Sequence, residues 1–192
     1  MSRSPLQAAV SEALGARAPR TIARDGYRRA AVLLPLFETP AGPAILLCRR
    51  TDSVPTHKGQ ISFPGGGSRP EDADLVATAL REAREEVGLR PADVTVLGRL
   101  DDTLAVSSQH VVRPVVGVIP YPYRFSLDPF EIVETLTLPL GPLFDGAPFR
   151  EEVRERDGRP VSGPFYEHAG HTIWGLTARI LKQFVELVRS RT

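Results

Sequence analysis

Apolar residues along this chain come in short bursts separated by proline and glycine. Ala30–Phe37 and Ala44–Arg49 are apolar runs around a Thr-Pro-Ala-Gly-Pro turn, which predicts two strands. Val94–Leu100 and Val111–Ile119 read as further strands. Arg150–Arg156 and Arg159–Phe165 flank Asp157-Gly158, a dipeptide that favours a tight hairpin turn. Residues 5–16 and Trp174–Val188 have the spacing of amphipathic helices, and His57–Gly67 reads as a glycine-rich loop. The sharpest periodicity lies in Ala73–Val87. There Val76, Ala79, Leu80, Ala83 and Val87 sit at i, i+3, i+4, i+7 and i+11 and form one apolar stripe. Gly88 tolerates a left-handed cap, Leu89 can pack back, Pro91 stops continuation, and Asp72 is the expected N-cap. Strands and helices are intermixed, which predicts an α/β protein with a mixed sheet between helices.

Composition narrows this picture. At 192 residues, 42% hydrophobic and 24% charged, the chain reads as one domain over 1–192, with 1–28 as an N-terminal extension. No repeat, linker or charge run divides it. The formal net charge of +1 gives no reason to expect a broad basic face, so nucleic acid is not an expected partner. Cys48 is the only cysteine, which rules out an intrachain disulfide and a thiolate metal cluster and is compatible with a reducing cytosol. The first residues lack a continuous apolar core, and the longest apolar stretches are too short to span a bilayer. A cytoplasmic protein away from the membrane is expected, and a homodimer is compatible with the sequence.

The chemistry is concentrated on the 73–87 helix. At roughly 100° per residue, Glu82, Glu85 and Glu86 fall on one flank of the apolar stripe and Arg81 and Arg84 on the other. Like charges three and four residues apart destabilise a helix. Two carboxylates about 4 Å apart repel by about 1 kcal/mol in water and about 4 kcal/mol at an effective dielectric of 20. A divalent cation converts that repulsion into attraction, and hard oxygen ligands suit Mg²⁺ or Mn²⁺. Acidic residues on helices are more often simply solvated, and Arg81 could pair with Glu85 four residues on. What adds weight to the cation reading is Phe63-Pro64-Gly65-Gly66-Gly67 just upstream, since glycines allow backbone to approach a ligand closely.

The segment Gly66–Leu89, GGSRPEDADLVATALREAREEVGL, resembles the Nudix box. Its second half, Arg81-Glu82-Ala83-Arg84-Glu85-Glu86-Val87-Gly88-Leu89, matches that pattern in full. In the first half Asp72 stands where Glu is usual and lies nine residues before Arg81 instead of eight, a spacing that looks like the coenzyme A pyrophosphatase branch. Upstream, Leu46, Leu47, Arg50, Gly59 and Phe63-Pro64-Gly65-Gly66 are similar to that branch's signature, with Cys48, Thr51 and Pro55 departing from it. The segments Pro55–Gln60 and Ile173–Leu181 also look like this branch. The resemblance implies an α/β/α sandwich and hydrolysis of a diphosphate linked to a nucleoside. For coenzyme A the products would be 3′,5′-ADP and 4′-phosphopantetheine. It also implies Glu82, Glu85 and Glu86 as metal ligands, completed by a carbonyl of Gly66 or Gly67, with Arg81 orienting the glutamates.

Beyond the box, Glu131 and Glu134 lie in a segment that looks like the family's late acidic region, and either one could hold the attacking water as base. Arg50, His57 and Lys58, with the backbone at Gly65 and Gly66, are expected to touch substrate phosphates, the 3′-phosphate of coenzyme A among them. Asp101-Asp102 reads as a loop cap or a solvated pair, with an additional metal ligand as the alternative. Trp174 is expected in the core, and His110, His168 and His171 lack metal-ligand spacing. Two other functions remain open: a Nudix enzyme for NADH, ADP-ribose or a capped nucleotide, and a binding module without catalysis. A binding module has no need of three clustered carboxylates, which weighs against the second.

Overall fold

The computed structural model describes residues 4–51, 59–146, 149–156 and 158–190. The chain runs α1 (Pro5–Gly15), β1 (Arg28–Thr39), β2 (Gly42–Arg50), β3 (Ile61–Ser62), β4 (Gly65–Gly67) and α2 (Leu75–Val87). It continues through β5 (Thr95–Arg99), β6 (Thr103–Ala105), β7 (His110–Val118), β8 (Ile132–Pro139) and α3 (Gly141–Phe144). It ends with β9 (Arg150–Arg156), β10 (Arg159–His168), β11 (His171–Ile173) and α4 (Gly175–Arg189). The central mixed sheet has eight strands in the order β3-β2-β1-β7-β5, with β4 pairing on β1, β6 on β7 and β8 on β2. β1 and β7 are parallel from Arg28↔His110 to Leu36↔Val118. The β9–β10 hairpin and β11 form a separate antiparallel sheet, as the Asp157-Gly158 turn signal predicts.

Helices cover both faces of the central sheet, which is why β1 is apolar almost throughout instead of alternating. Leu34, Leu36, Ile45 and Leu47 share a core with Val10 and Leu14 of α1 and with Ile180, Leu181 and Phe184 of α4. Leu33, Phe37, Ala44, Leu46 and Cys48 pack instead with Ala79, Ala83 and Val87 of α2. This is the expected α/β/α sandwich. No helix among the described residues is long and apolar enough to cross a membrane.

Three local expectations are corrected. The helix begins at Leu75, and its N-cap is Asp74, whose carboxylate accepts hydrogen bonds from the N–H groups of Val76 and Ala77. Asp72 does not cap it and is available for other contacts. The C-terminus follows expectation, with Gly88 left-handed at φ 70°. The glycine segment is not wholly loop: Gly65, Gly66 and Gly67 pair with Val32, Ala31 and Ala30 as strand β4. Glycine permits that approach, because a Cβ on Gly65 would lie 2.4 Å from the Ala31 carbonyl oxygen. Trp174 is only partly buried, stacked against Phe165 at a centroid distance of 6.4 Å.

Candidate functional site

The apolar stripe of α2 fixes its rotation on the sheet, so its acidic flank is turned toward β4. Glu82 lies over Gly66, where an added Cβ would come within 2.5 Å of Glu82 Oε2. One turn on, Glu86 is almost fully buried and accepts a hydrogen bond from the Gly65 N–H at 3.0 Å. The tri-glycine strand thus serves the helix carboxylates twice, by leaving space at Gly66 and by donating at Gly65. Glu85 is exposed.

Arg81 does not stay on the opposite flank. Its guanidinium donates to both oxygens of Asp72 at 2.8 and 2.9 Å, to Glu82 at 2.6 Å, to Glu85 at 3.1 Å and to the Gly67 carbonyl at 3.0 Å. Asp72 also accepts from the Thr78 hydroxyl and the Arg69 N–H. These hydrogen bonds, that of Arg81 foremost, hold the Asp72 carboxyl well below the usual range. Arg69, which sequence reasoning missed, grips Glu85 with two bonds of 2.8 Å. A contact across sixteen residues leaves no periodic signal in the sequence.

A second arginine links the helix to the late acidic segment. Arg50, at the end of β2, donates to Glu86 at 2.9 Å and to Glu131 at 3.1 Å. The Glu131 turn is also tied to α2 through backbone: Asp128 N–H donates to the Glu86 carbonyl and Ser126 N–H to that of Val87. Burial pushes the Glu86 carboxyl up to about 7, against the opposing influence of Arg50 and the Gly65 N–H. Burial raises Glu82 as well. Two carboxyls raised on one helix flank beside a glycine-built gap are a candidate functional site.

Other expected site residues fall elsewhere. Glu134, expected as one of two candidate bases, lies apart from the carboxylates of α2. It pairs with Arg49 at 2.5 Å and lies 3.9 Å from His171, on the sheet face away from α2. Asp101 and Asp102 are neither simple caps nor part of the helix site. They are buried among Arg17, Arg20, Arg29, Arg99 and Arg113. Arg50, expected to touch substrate phosphate, pairs in this structure with Glu86 and Glu131. His57 and Lys58 lie outside the described residues.

The donor set on this flank is all hard oxygen, as Mg²⁺ or Mn²⁺ requires, and Gly66 leaves room beside Glu82. Among the described residues no three acidic or imidazole groups converge at metal-holding distance as they stand. Arg50, Arg69 and Arg81 each pair with one or more of these carboxylates. The residues fit a divalent cation in kind, as hard oxygen donors on one flank of α2.

Residues 26–134 match the family model described as NUDIX domain. A protein named Nudix hydrolase NudL from Photorhabdus laumondii is 38% identical over 165 residues, covering 86% of this chain and 87% of the relative. A NudL from Yersinia pestis is 38% identical over 163 residues, covering 84% and 80%. Among solved structures, a MutT protein from Methanosarcina mazei superposes with a TM-score of 0.54 at 16% identity, covering 87% of this chain and 97% of that one. An Ap4A hydrolase complex from C. elegans gives 0.50 at 20% identity, covering 62% and 84%. At these identities the structural likeness is one of fold.

Proposed function

The chain belongs to the Nudix hydrolase family and is an enzyme acting on nucleoside diphosphate derivatives, and on that premise we propose that its substrate is coenzyme A or a derivative of it. The observation that carries this reading is Arg50. It belongs to the upstream signature Leu46, Leu47, Arg50, Gly59 and Phe63-Pro64-Gly65-Gly66, and its guanidinium contacts both Glu86 of the box and Glu131 outside it. The branch signature and the box thus meet at one set of carboxylates. Residues 1–192 act as one unit in this proposal, since β8 and α4 complete the sheet and core that the matched region begins.

Glu82, Glu85 and Glu86 are the proposed ligands of a divalent cation, Mg²⁺ or Mn²⁺, with the Gly66 carbonyl as a further oxygen. A cation bound there supplies charge to neutralise the diphosphate and acidify a water. Arg81 sets the orientation of Glu82 and Glu85 through its bonds to both and is itself fixed by Asp72. Glu131, partly exposed and held toward Glu86 through Arg50, accepts the proton of the attacking water. The oxygen of that water forms a bond to one phosphorus and the bridging oxygen leaves with the other phosphate. From coenzyme A this gives 3′,5′-ADP and 4′-phosphopantetheine. Catalysis of this kind rests on positioning and charge.

The test is a hydrolysis screen of coenzyme A, dephospho-coenzyme A, NADH, ADP-ribose and a dinucleoside polyphosphate, with Mg²⁺, Mn²⁺ or a chelator. Coenzyme A should give the highest kcat/KM, and the chelator should abolish turnover. A higher kcat/KM on ADP-ribose or NADH would overturn the substrate assignment and leave the reaction class standing.

A further inference from the structure

We propose that Arg50 is a positioning residue that competes with the cation for Glu86 and, through the same guanidinium, holds Glu131 at the site. This rests on reading the α2 flank as a cation site. Both oxygens of Glu86 are occupied by protein groups, one by the Gly65 N–H and the other by Arg50. The other arm of Arg50 meets Glu131, and its Nε is buried with no partner among the described residues. Among the described residues, then, the guanidinium bridges two carboxylates, one on α2 and one on the 128–131 turn.

The backbone closes this arrangement into a ring. Glu86 O accepts from Asp128 N–H, and Asp128 O accepts from Glu131 N–H at 3.1 Å. Next to Arg50, Thr51 N–H donates to Glu131 O at 2.8 Å, and the Thr51 hydroxyl donates to Phe130 O at 2.8 Å. The Glu131 turn is therefore held on one side by α2 and on the other by the end of β2. Arg50 spans the gap between the two carboxylates. Its charge lies 2.9 Å from Glu86, so a cation seated on Glu86 has to displace or face it. A lysine keeps the charge but has no planar fork with which to hold two carboxylates at once.

The experiment measures two quantities in wild type, Arg50→Gln, Arg50→Lys, Glu131→Gln and the Arg50→Gln/Glu131→Gln double variant. The first is the Mn²⁺ dissociation constant, by electron paramagnetic resonance on the free protein. The second is kcat and KM on coenzyme A, or on ADP-ribose if that is the substrate turned over. Removing one positive charge beside the ligand should tighten Mn²⁺ about tenfold in Arg50→Gln, while Arg50→Lys stays within about threefold of wild type. Both should lose kcat by about tenfold or more with little change in KM, and the double variant should be no slower than the worse single variant. A normal melting curve for Arg50→Lys separates these effects from misfolding. Weaker Mn²⁺ binding in Arg50→Gln, additive losses in the double variant, or a loss confined to KM would each overturn the proposal. If wild type binds no Mn²⁺, the cation-site reading itself fails.

Discussion

The acidic flank of α2 and the turn after β5 are built from the same two residue types in opposite proportion. On α2 and its neighbours, five carboxylates (Asp72, Glu82, Glu85, Glu86, Glu131) meet three guanidiniums (Arg50, Arg69, Arg81). After β5, two carboxylates (Asp101, Asp102) receive five guanidiniums (Arg17, Arg20, Arg29, Arg99, Arg113). Burial pushes the Asp102 carboxyl up, but hydrogen bonds from Arg113, the Ile22 N–H and Arg29 outweigh it, and the net shift is downward. At Glu86 burial wins and the carboxyl stays high. The Asp101–Asp102 cluster also binds backbone: Ile22 N–H and Arg20 N–H donate to its side chains, which fastens residues 17–22 to the sheet. An oversupplied carboxylate is a staple. The α2 flank, with carboxylates in excess of guanidiniums, is where the proposed cation would add the missing positive charge.

The comparison breaks most sharply through Glu85→Gln and Glu86→Gln. Each should lower kcat by about a thousandfold, roughly 4 kcal/mol in the barrier, with the fold intact by circular dichroism. Near-normal rates in both would show that the acid-rich region is not a cation site.

Asp102→Ala should instead act on stability. Removing the carboxylate leaves Arg29, Arg99 and Arg113 facing one another, and breaking a buried pair in this way costs about 3–5 kcal/mol. Urea unfolding measures the loss, and Mn²⁺ affinity should be unchanged. A stable Asp102→Ala with weakened Mn²⁺ binding would reverse the roles assigned to the two regions.

A pH series sharpens the contrast. The folded pKa of Glu86, about 7, lies above its ordinary 4.5, so the fold favours the protonated form. Stability tied to that proton is fully present below 4.5 and is lost as pH rises through 7. Glu86→Gln keeps the neutral form at every pH. In the presence of chelator it should match wild type near pH 4.5 and exceed it by about 2–3 kcal/mol at pH 8. A constant difference across that window would mean that burial does not strain Glu86.

The smallest effect is expected at Glu134. It is partly exposed and pairs with Arg49 on the far face of the sheet. Glu134→Gln should change stability by less than about 1 kcal/mol and leave kcat within about twofold of wild type. A tenfold loss of kcat would place it back at the site.

Much of this was legible from residue order alone. The stripe Val76, Ala79, Leu80, Ala83, Val87 determined that a helix forms and which flank carries Glu82, Glu85 and Glu86, because helical period is a local property. The apolar bursts determined the main strands, and the box motif determined the family. Only the tertiary structure decided the partners. Arg69 reaches Glu85 and Arg50 reaches Glu86 because chain folding, not periodicity, brings those segments together. Asp72 and Asp74 are equally good caps by type, and the position of Arg81 draws Asp72 away. Glu131 and Glu134 look interchangeable in sequence. A register shift opposite Arg49 and Arg50 in the β2–β8 pairing sends Glu134 to the α4 side and Ile132 to the α2 side, and Glu131, just before β8, is held beside Arg50 by the Thr51 N–H. Strand facing has a period of two, so one irregular pairing reverses it, and that irregularity is set by contacts between strands far apart in sequence.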